Sequence, residues 1–206
     1  MPTVAEQIVA QCAMSFNTPV KEDCNQFVKA VAVPFFEPDL FTGPNMNADA
    51  IIEEMNSSAL WNKLGTSHTA AISDAGNGKF VVAGMTSAQL SSAHGHVAVV
   101  VGDPGQLSGQ VLVPICYAGS LSAGARVARS RVSATFGATN AQQNKIYYFS
   151  RIPQTVPSRG PVDLLIDHLR GLTEVLDTVP HVHVESRLLR GSRRRGPARG
   201  SIPARG

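Results

Sequence analysis

Apolar residues fall at helical spacing before about residue 55 and in short, nearly continuous runs after residue 79. Thr3 followed three positions later by Glu6 fits a capping box, and Val4, Ile8 and Cys12 share one helical face beyond it. This predicts a helix to about Phe16, broken by Asn17-Thr18-Pro19. A second helix is predicted to open at Asp23, whose short carboxylate can cap exposed amides, and to stop before Pro34. Phe27, Val28 and Val31 give it an inner face. A proline-rich loop (Pro34, Pro38, Pro44) then leads to a third helix near Asn47 to Met55.

From Lys79 the period changes. Lys79 to Met85, His96 to Gly102, Val111 to Tyr117 and Lys145 to Ser150 are rich in Val, Ile, Tyr and Phe and predict strands. Asp103-Pro104-Gly105 is a turn between two of them. Helices first and strands afterwards is the order of an α+β domain. A boundary is expected near Arg151 to Pro157, separating a domain over residues 1–150 from an appendage over 151–206. Within the appendage, Pro161 followed by Leu164, Leu165, Leu169, Leu172 and Leu176 suggests one amphipathic helix.

Composition narrows the class. A chain of 206 residues, 43% hydrophobic and 6% aromatic, allows one domain or one domain with an appendage. Its longest apolar run, Val97 to Val101, is far shorter than the roughly 20 residues that cross a bilayer, so no membrane span is expected. The first residues lack the basic-then-apolar pattern of a cleaved signal peptide, so a standard secretory route is not expected either. The net charge of +3 conceals two segments: residues 1–150 carry 8 Lys and Arg against 10 Asp and Glu, whereas residues 151–206 carry 10 against 5. Seven arginines and no acid follow Glu185, punctuated by Gly and Pro. This composition is that of a solvated, disordered tail, or of an anchor to an anionic surface. No aromatic residue interleaves with the arginines, which argues against a nucleic-acid partner.

Three cysteines form no disulfide framework, and their odd number leaves a free thiol. Cys24 directly follows the expected cap Asp23. Amides and the positive end of a helix dipole there favour a thiolate, while the Asp23 carboxylate opposes it. His96 follows Gly95 and opens an apolar strand, a place from which an imidazole could face a helix N-terminus and take a thiol proton. His68, His94 and His168 are weaker candidates because none sits at a strong strand boundary. His181 and His183 alternate like a metal-ligand pair, but no cysteine or carboxylate set completes a zinc site, and no metal is expected.

Asp23-Cys24-Asn25-Gln26-Phe27-Val28 resembles the Asp-Cys-Ser-Gly-Phe-Val nucleophile motif of NlpC-type, papain-like cysteine peptidases, and Gly95-His96-Val97-Ala98-Val99-Val100 resembles their histidine strand. Further details are similar to the first amidase family of type VI secretion effectors. These are a helix before the cysteine, the segment Pro114-Ile115-Cys116-Tyr117-Ala118-Gly119-Ser120, and a late Tyr147-Tyr148. The resemblance covers roughly residues 4–150. It implies an α+β, papain-like NlpC-type fold with N-terminal helices packed on an antiparallel sheet. It also implies an antibacterial toxin that cuts peptidoglycan peptide stems between γ-D-glutamate and meso-diaminopimelate, without metal or organic cofactor. Such effectors are made in the bacterial cytoplasm, carried by the type VI apparatus into a competitor's periplasm, and blocked in the producer by a cognate immunity protein.

By the same resemblance, His96 activates Cys24 for thiol acylation, and an amide at the start of the cysteine helix, that of Cys24 among them, forms the oxyanion hole. A third group that orients the histidine is expected on the strand Pro114 to Ala118. Ala118 offers a backbone carbonyl, and Cys116 and Ser120 offer side chains; the choice stays open. Asp23, Asn25, Gln26 and Gly95 are the expected cleft residues. Asn25 and Gln26 replace a small Ser-Gly pair, a departure that bears on which bond is cut. Cys12 is expected in the core, with pairing to Cys116 an alternative in an oxidising compartment. Two other functions remain: a related peptidase or acyltransferase using the same pair, and a non-enzymatic envelope or nucleic-acid binder using the basic tail.

Overall fold

The computed structural model of the protein describes residues 1–43 and 46–154. The helix expected after Pro161, the arginine run and His168, His181 and His183 lie outside the described residues. Three helices come first: α1 (Val4–Phe16), α2 (Cys24–Ala32) and α3 (Ala48–Ser57). Each starts where a side chain satisfies amides that a first helical turn leaves unpaired. The α1 amide of Glu6 donates to Thr3 Oγ1 at 3.2 Å, and Glu6 Oε2 accepts from the Thr3 amide at 2.7 Å. Asp23 Oδ1 accepts from the amides of Asn25 and Gln26 at 3.0 and 3.3 Å, and Asn47 Oδ1 from that of Ala50 at 2.9 Å.

The remaining elements are β1 (Asn62–Gly65), α4 (His68–Gly76), β2 (Phe80–Met85), α5 (Ser87–Leu90), β3 (His96–Val100), β4 (Gln106–Ser108), β5 (Val111–Val113), β6 (Ile115–Ala118), β7 (Val127–Arg131), α6 (Ser133–Phe136), α7 (Ala138–Gln142) and β8 (Tyr147–Arg151). Six strands form one sheet in the order β1-β8-β2-β3-β6-β7, with every neighbouring pair antiparallel. Strands β4 and β5 form a separate antiparallel pair. The architecture is α+β, helices on an antiparallel sheet.

The run Val111 to Tyr117, expected as a single strand, is two. Pro114 has no amide to give a ladder, and on either side of it β5 pairs with β4 while β6 pairs with β3. Three strands were not expected from the sequence: the three-residue β4 and two others, β1 and β7. β1 and β7 are the sheet's edges, and their sequences, Asn-Lys-Leu-Gly and Val-Ala-Arg-Ser-Arg, are polar and largely exposed. Helix α4 buries only His68, Ala71 and Ala75, too small an apolar stripe to stand out.

Both faces of the central strands are covered. Val97, Val99 and Val101 pack with Phe27, Val28 and Val31 of α2, with Ile8 of α1, and with Ile51 and Met55 of α3. Ala98 and Val100 face the other way, toward Ala71 of α4, Phe136 of α6 and Ala141 of α7. A strand buried on both faces has no polar alternation, which is why β2 and β3 are unbroken apolar runs. The same alternation separates Cys12 from Cys116: Cys12 belongs to the cluster under α1 and α2, and Cys116 to the cluster on the opposite face. All three cysteines are free, so the Cys12–Cys116 pairing does not form.

The second face is pinned by a buried polar chain. His68 Nε2 lies 2.8 Å from the Ala141 carbonyl, which can only accept, so Nε2 carries the proton. Nδ1 therefore accepts from the Tyr148 hydroxyl, also at 2.8 Å. This joins α4, α7 and β8, and gives His68 a structural role. Beyond β8, the Gln154 amide donates to the Phe35 carbonyl at 2.9 Å, and the Arg151 guanidinium sits 5.1 Å above the Phe36 ring.

Removing the Tyr148 hydroxyl leaves a buried ring nitrogen without a donor. Tyr148→Phe is therefore expected to lower the unfolding free energy by about 1–3 kcal/mol in urea titration; an unchanged midpoint would show that the chain is not under load.

Candidate functional site

The site begins where two strands part. Strands β3 and β6 pair at Val99 with Tyr117 and Val100 with Cys116, and the Val101 amide donates to the Ile115 carbonyl at 2.9 Å. Amides two residues apart along a strand point the same way, so the Val97 amide is directed to the same side. Past Ala118, however, the chain no longer runs beside β3. The Ser120 amide instead donates to the Lys21 carbonyl at 2.9 Å. Into the place of the missing strand comes the first residue of α2, and the Val97 amide faces the Cys24 sulfur.

Gly119 makes this departure possible. A Cβ there would stand 2.7 Å from the Asp23 carbonyl oxygen, 2.8 Å from Phe27 Cβ and 3.0 Å from the Lys21 carbonyl oxygen. Backbone passes that close to the cysteine helix only without a side chain. Gly95 has a similar reason: a Cβ would collide with Asp49 Oδ1. Asp49 itself accepts from the Ser87 amide at 2.8 Å and from the Ser87 hydroxyl at 2.6 Å, tying α3 to the segment that leads into β3.

Cys24 and His96, each half-buried, line one open cleft of about 500 Å³. Asp23, Asn25, Gly95 and Ser120 line it as well, as do Thr135 and the weaker histidine candidate His94. Gln26 is exposed and outside the lining, so it does not narrow the cleft. Asn25 Nδ2 donates to the Met46 carbonyl at 3.0 Å, and its Oδ1 receives the Cys24 thiol at 3.9 Å. The residue in place of the motif's serine therefore holds the cleft wall and the resting thiol.

The group on His96 is not one of the three expected from β6 and its continuation. Cys116 and Ala118 are fully buried and absent from the cleft lining. Ser120 reaches the cleft, but its hydroxyl accepts from the Ser122 amide at 3.2 Å. His96 Nε2 instead lies 2.6 Å from Thr135 Oγ1 of α6, and the Thr135 hydroxyl donates to the Ala125 carbonyl at 2.8 Å. Residue 96 shares its side of β3 with Ala98 and Val100, the face that α6 covers; Cys116 and Ala118 lie on that face too, but the group that bonds the imidazole is the Thr135 hydroxyl. The imidazole packs edge-on against Phe136 at 4.9 Å between ring centroids. Thr135 stood in a stretch, Ser133-Ala134-Thr135-Phe136, with no motif and no strong period. Asp49 lies inside an expected helix but carries no signal of its own, and Gly119 stands out only as part of the Gly-Ser segment.

Burial pushes the Cys24 thiol above its ordinary value, and the Asp23 carboxylate adds to this; the amides of Val97, Asn25 and Cys24 oppose them without prevailing. Burial likewise lowers His96, to about 4. At neutral pH the cleft thus holds a protonated thiol and a neutral imidazole. Asp23 occupies the amides of Asn25 and Gln26, so the amide left at the helix start is that of Cys24. The other thiols are unsuited to reaction: burial pushes Cys116 up to about 12 and raises Cys12 well above its ordinary range. Among the described residues, no group of three or more His, Cys, Asp or Glu could hold a metal ion. No helix among them is long and apolar enough to cross a membrane.

Two stability measurements check this geometry. Gly119→Ala is expected to cost about 1–3 kcal/mol by overpacking, whereas Gly124→Ala, where a Cβ meets nothing within 4 Å, serves as the neutral comparison. Equal urea midpoints for the two would contradict the close approach. His96 takes a proton near its ordinary 6.5 when unfolded but only near 4 when folded. Its contribution is therefore intact above about pH 6.5 and is lost as pH falls toward 4, by up to about 3 kcal/mol. His96→Gln should flatten that part of the stability profile. No protein-family model matches the chain, and no curated protein matches it.

Proposed function

We propose that residues 1–150 form a papain-like, NlpC-type cysteine amidase that hydrolyses peptidoglycan peptide stems. The observation that carries this reading is the placement of Cys24 at the N-terminus of α2 with its sulfur on the Val97 amide, next in chain to His96, both groups opening into one cleft. A half-buried thiol at a helix start and a neutral imidazole in the same cleft are the two groups that an assisted nucleophile needs. Cys12 and Cys116 lack both the access and the partner.

In the proposed reaction the neutral imidazole of His96 takes the Cys24 proton as sulfur attacks the γ-D-glutamyl carbonyl and the C–S bond forms. The carbonyl oxygen, now carrying negative charge, is met by the Cys24 amide. The C–N bond to meso-diaminopimelate breaks, and His96 returns the proton to the departing amine. Water, deprotonated by His96, then attacks the thioester; the carboxylate leaves and the thiol is restored. Starting from a neutral pair suits this sequence, because the base is free to accept a proton at neutral pH.

The cleft is open and mixed in character. Leu90 and the exposed Leu121 contribute apolar surface, while Asn47, Ser92 and Ser122 contribute polar groups. An open groove admits a segment of a polymer rather than a small enclosed ligand. It also offers a face for an inhibitory protein, the expected role of a cognate immunity partner. Delivery by a type VI apparatus into a recipient periplasm belongs to the same proposal and rests on the resemblance of residues 4–150 to that effector family.

Digestion of purified sacculi, with mass spectrometry of the fragments, tests the reading. The full chain should release products cut between D-glutamate and diaminopimelate, and Cys24→Ala and His96→Ala should each reduce their rate by at least about a hundredfold. A folded chain that releases nothing, or one whose products survive Cys24→Ala, would overturn it.

A further inference from the structure

We propose that Thr135 is the positioning residue of the site: its hydroxyl selects the His96 tautomer that leaves Nδ1 as the base. A threonine hydroxyl has a single proton to give. Thr135 gives it to the Ala125 carbonyl, an oxygen that can only accept, at 2.8 Å. Toward His96, 2.6 Å away, Thr135 Oγ1 therefore has only lone pairs to offer. Nε2 must be the donor, and since a neutral imidazole carries one N–H, Nδ1 holds the free pair.

The surroundings make this assignment rigid. The Val132 amide donates to the Pro114 carbonyl at 2.9 Å, anchoring the start of α6 to the strand region. Ala125 closes a turn through its amide to the Ser122 carbonyl at 3.0 Å. Arg126 Nε donates to the Ser120 carbonyl at 2.7 Å and holds that turn against the cleft wall. Phe136 fixes the ring plane. The same Nε2–H bond persists when His96 becomes doubly protonated, so the proton can arrive at Nδ1 and leave it without any rearrangement around Thr135. A neutral hydroxyl also orients the ring without placing a negative charge beside it, consistent with a base that rests uncharged.

The role rests on the Cys24–His96 reading of the site, but its test does not need the peptidoglycan substrate. Long-range proton–nitrogen NMR at pH 7 on the labelled full chain reports the tautomer of each histidine, and loss of one set of signals in His96→Gln identifies His96. Wild type should show His96 with hydrogen on Nε2. Thr135→Val, which keeps the shape and removes the hydroxyl, should give a mixture of tautomers and slow Cys24 alkylation by chloroacetamide at pH 7 by about tenfold. Thr135→Ser should restore both. An Nδ1–H tautomer in wild type, an unchanged Thr135→Val, or a Thr135→Ser as impaired as Thr135→Val would each overturn the proposal. If wild type shows the expected tautomer and alkylation pattern yet cuts no sacculi, Thr135 keeps its role and the substrate assignment alone fails.

Discussion

The organisation of the site depends on one unpaired strand amide. Over Val99 and Val100 the fold is an ordinary antiparallel ladder between β3 and β6. Gly119 lets the chain swing away one residue later and seat itself against the carbonyls of Lys21 and Asp23. A buried amide without a partner is costly, and the Cys24 sulfur supplies the partner that the departing strand withdraws. The contact that satisfies the ladder also brings a thiol to the residue beside His96. Architecture and candidate chemistry share a single contact.

The electrostatics follow from where that contact lies. Packing the cysteine helix against a sheet covered on both faces strips water from the thiol and the imidazole together. Desolvation disfavours each charged form, raising the thiol and lowering the imidazole. Three amides on the sulfur soften the penalty, while the capping carboxylate of Asp23 works against them. The balance keeps both groups neutral at rest. Asp23 thereby serves two ends: it caps α2 through the amides of Asn25 and Gln26, and its charge helps to keep the thiol protonated.

Much of this was legible in the residues. Caps at Thr3, Asp23 and Asn47 fixed the starts of three helices because capping is local chemistry, and the apolar runs around Val81 and Val99 marked central strands because burial on both faces leaves no polar positions. The α+β class followed from their order. Edge strands β1 and β7 were silent, since an edge needs neither apolar alternation nor β-branched residues. Pro114 cut one expected strand in two for a reason visible in the sequence but decisive only with the sheet order. In the site, Cys24 and His96 lay in recognisable local settings, and the structure brings them to one cleft. The partner of His96 did not: Thr135 is 39 positions away in sequence, in a segment that no period marks, and the side of β3 on which His96 emerges is a tertiary fact. The expected partners Cys116 and Ala118 share that face, but the hydrogen bond to His96 comes from α6.

The central claim is that Cys24 is the atom on which the acyl group rides. Rapid acid quench of the full chain during turnover of a purified stem peptide, followed by peptide mapping, tests it most directly. The account predicts a transient mass increase equal to the γ-glutamyl fragment on the peptide containing Cys24, removed by hydroxylamine as a thioester is. Turnover with the acyl group on any other residue, or with Cys24 unmodified throughout the time course, would contradict it.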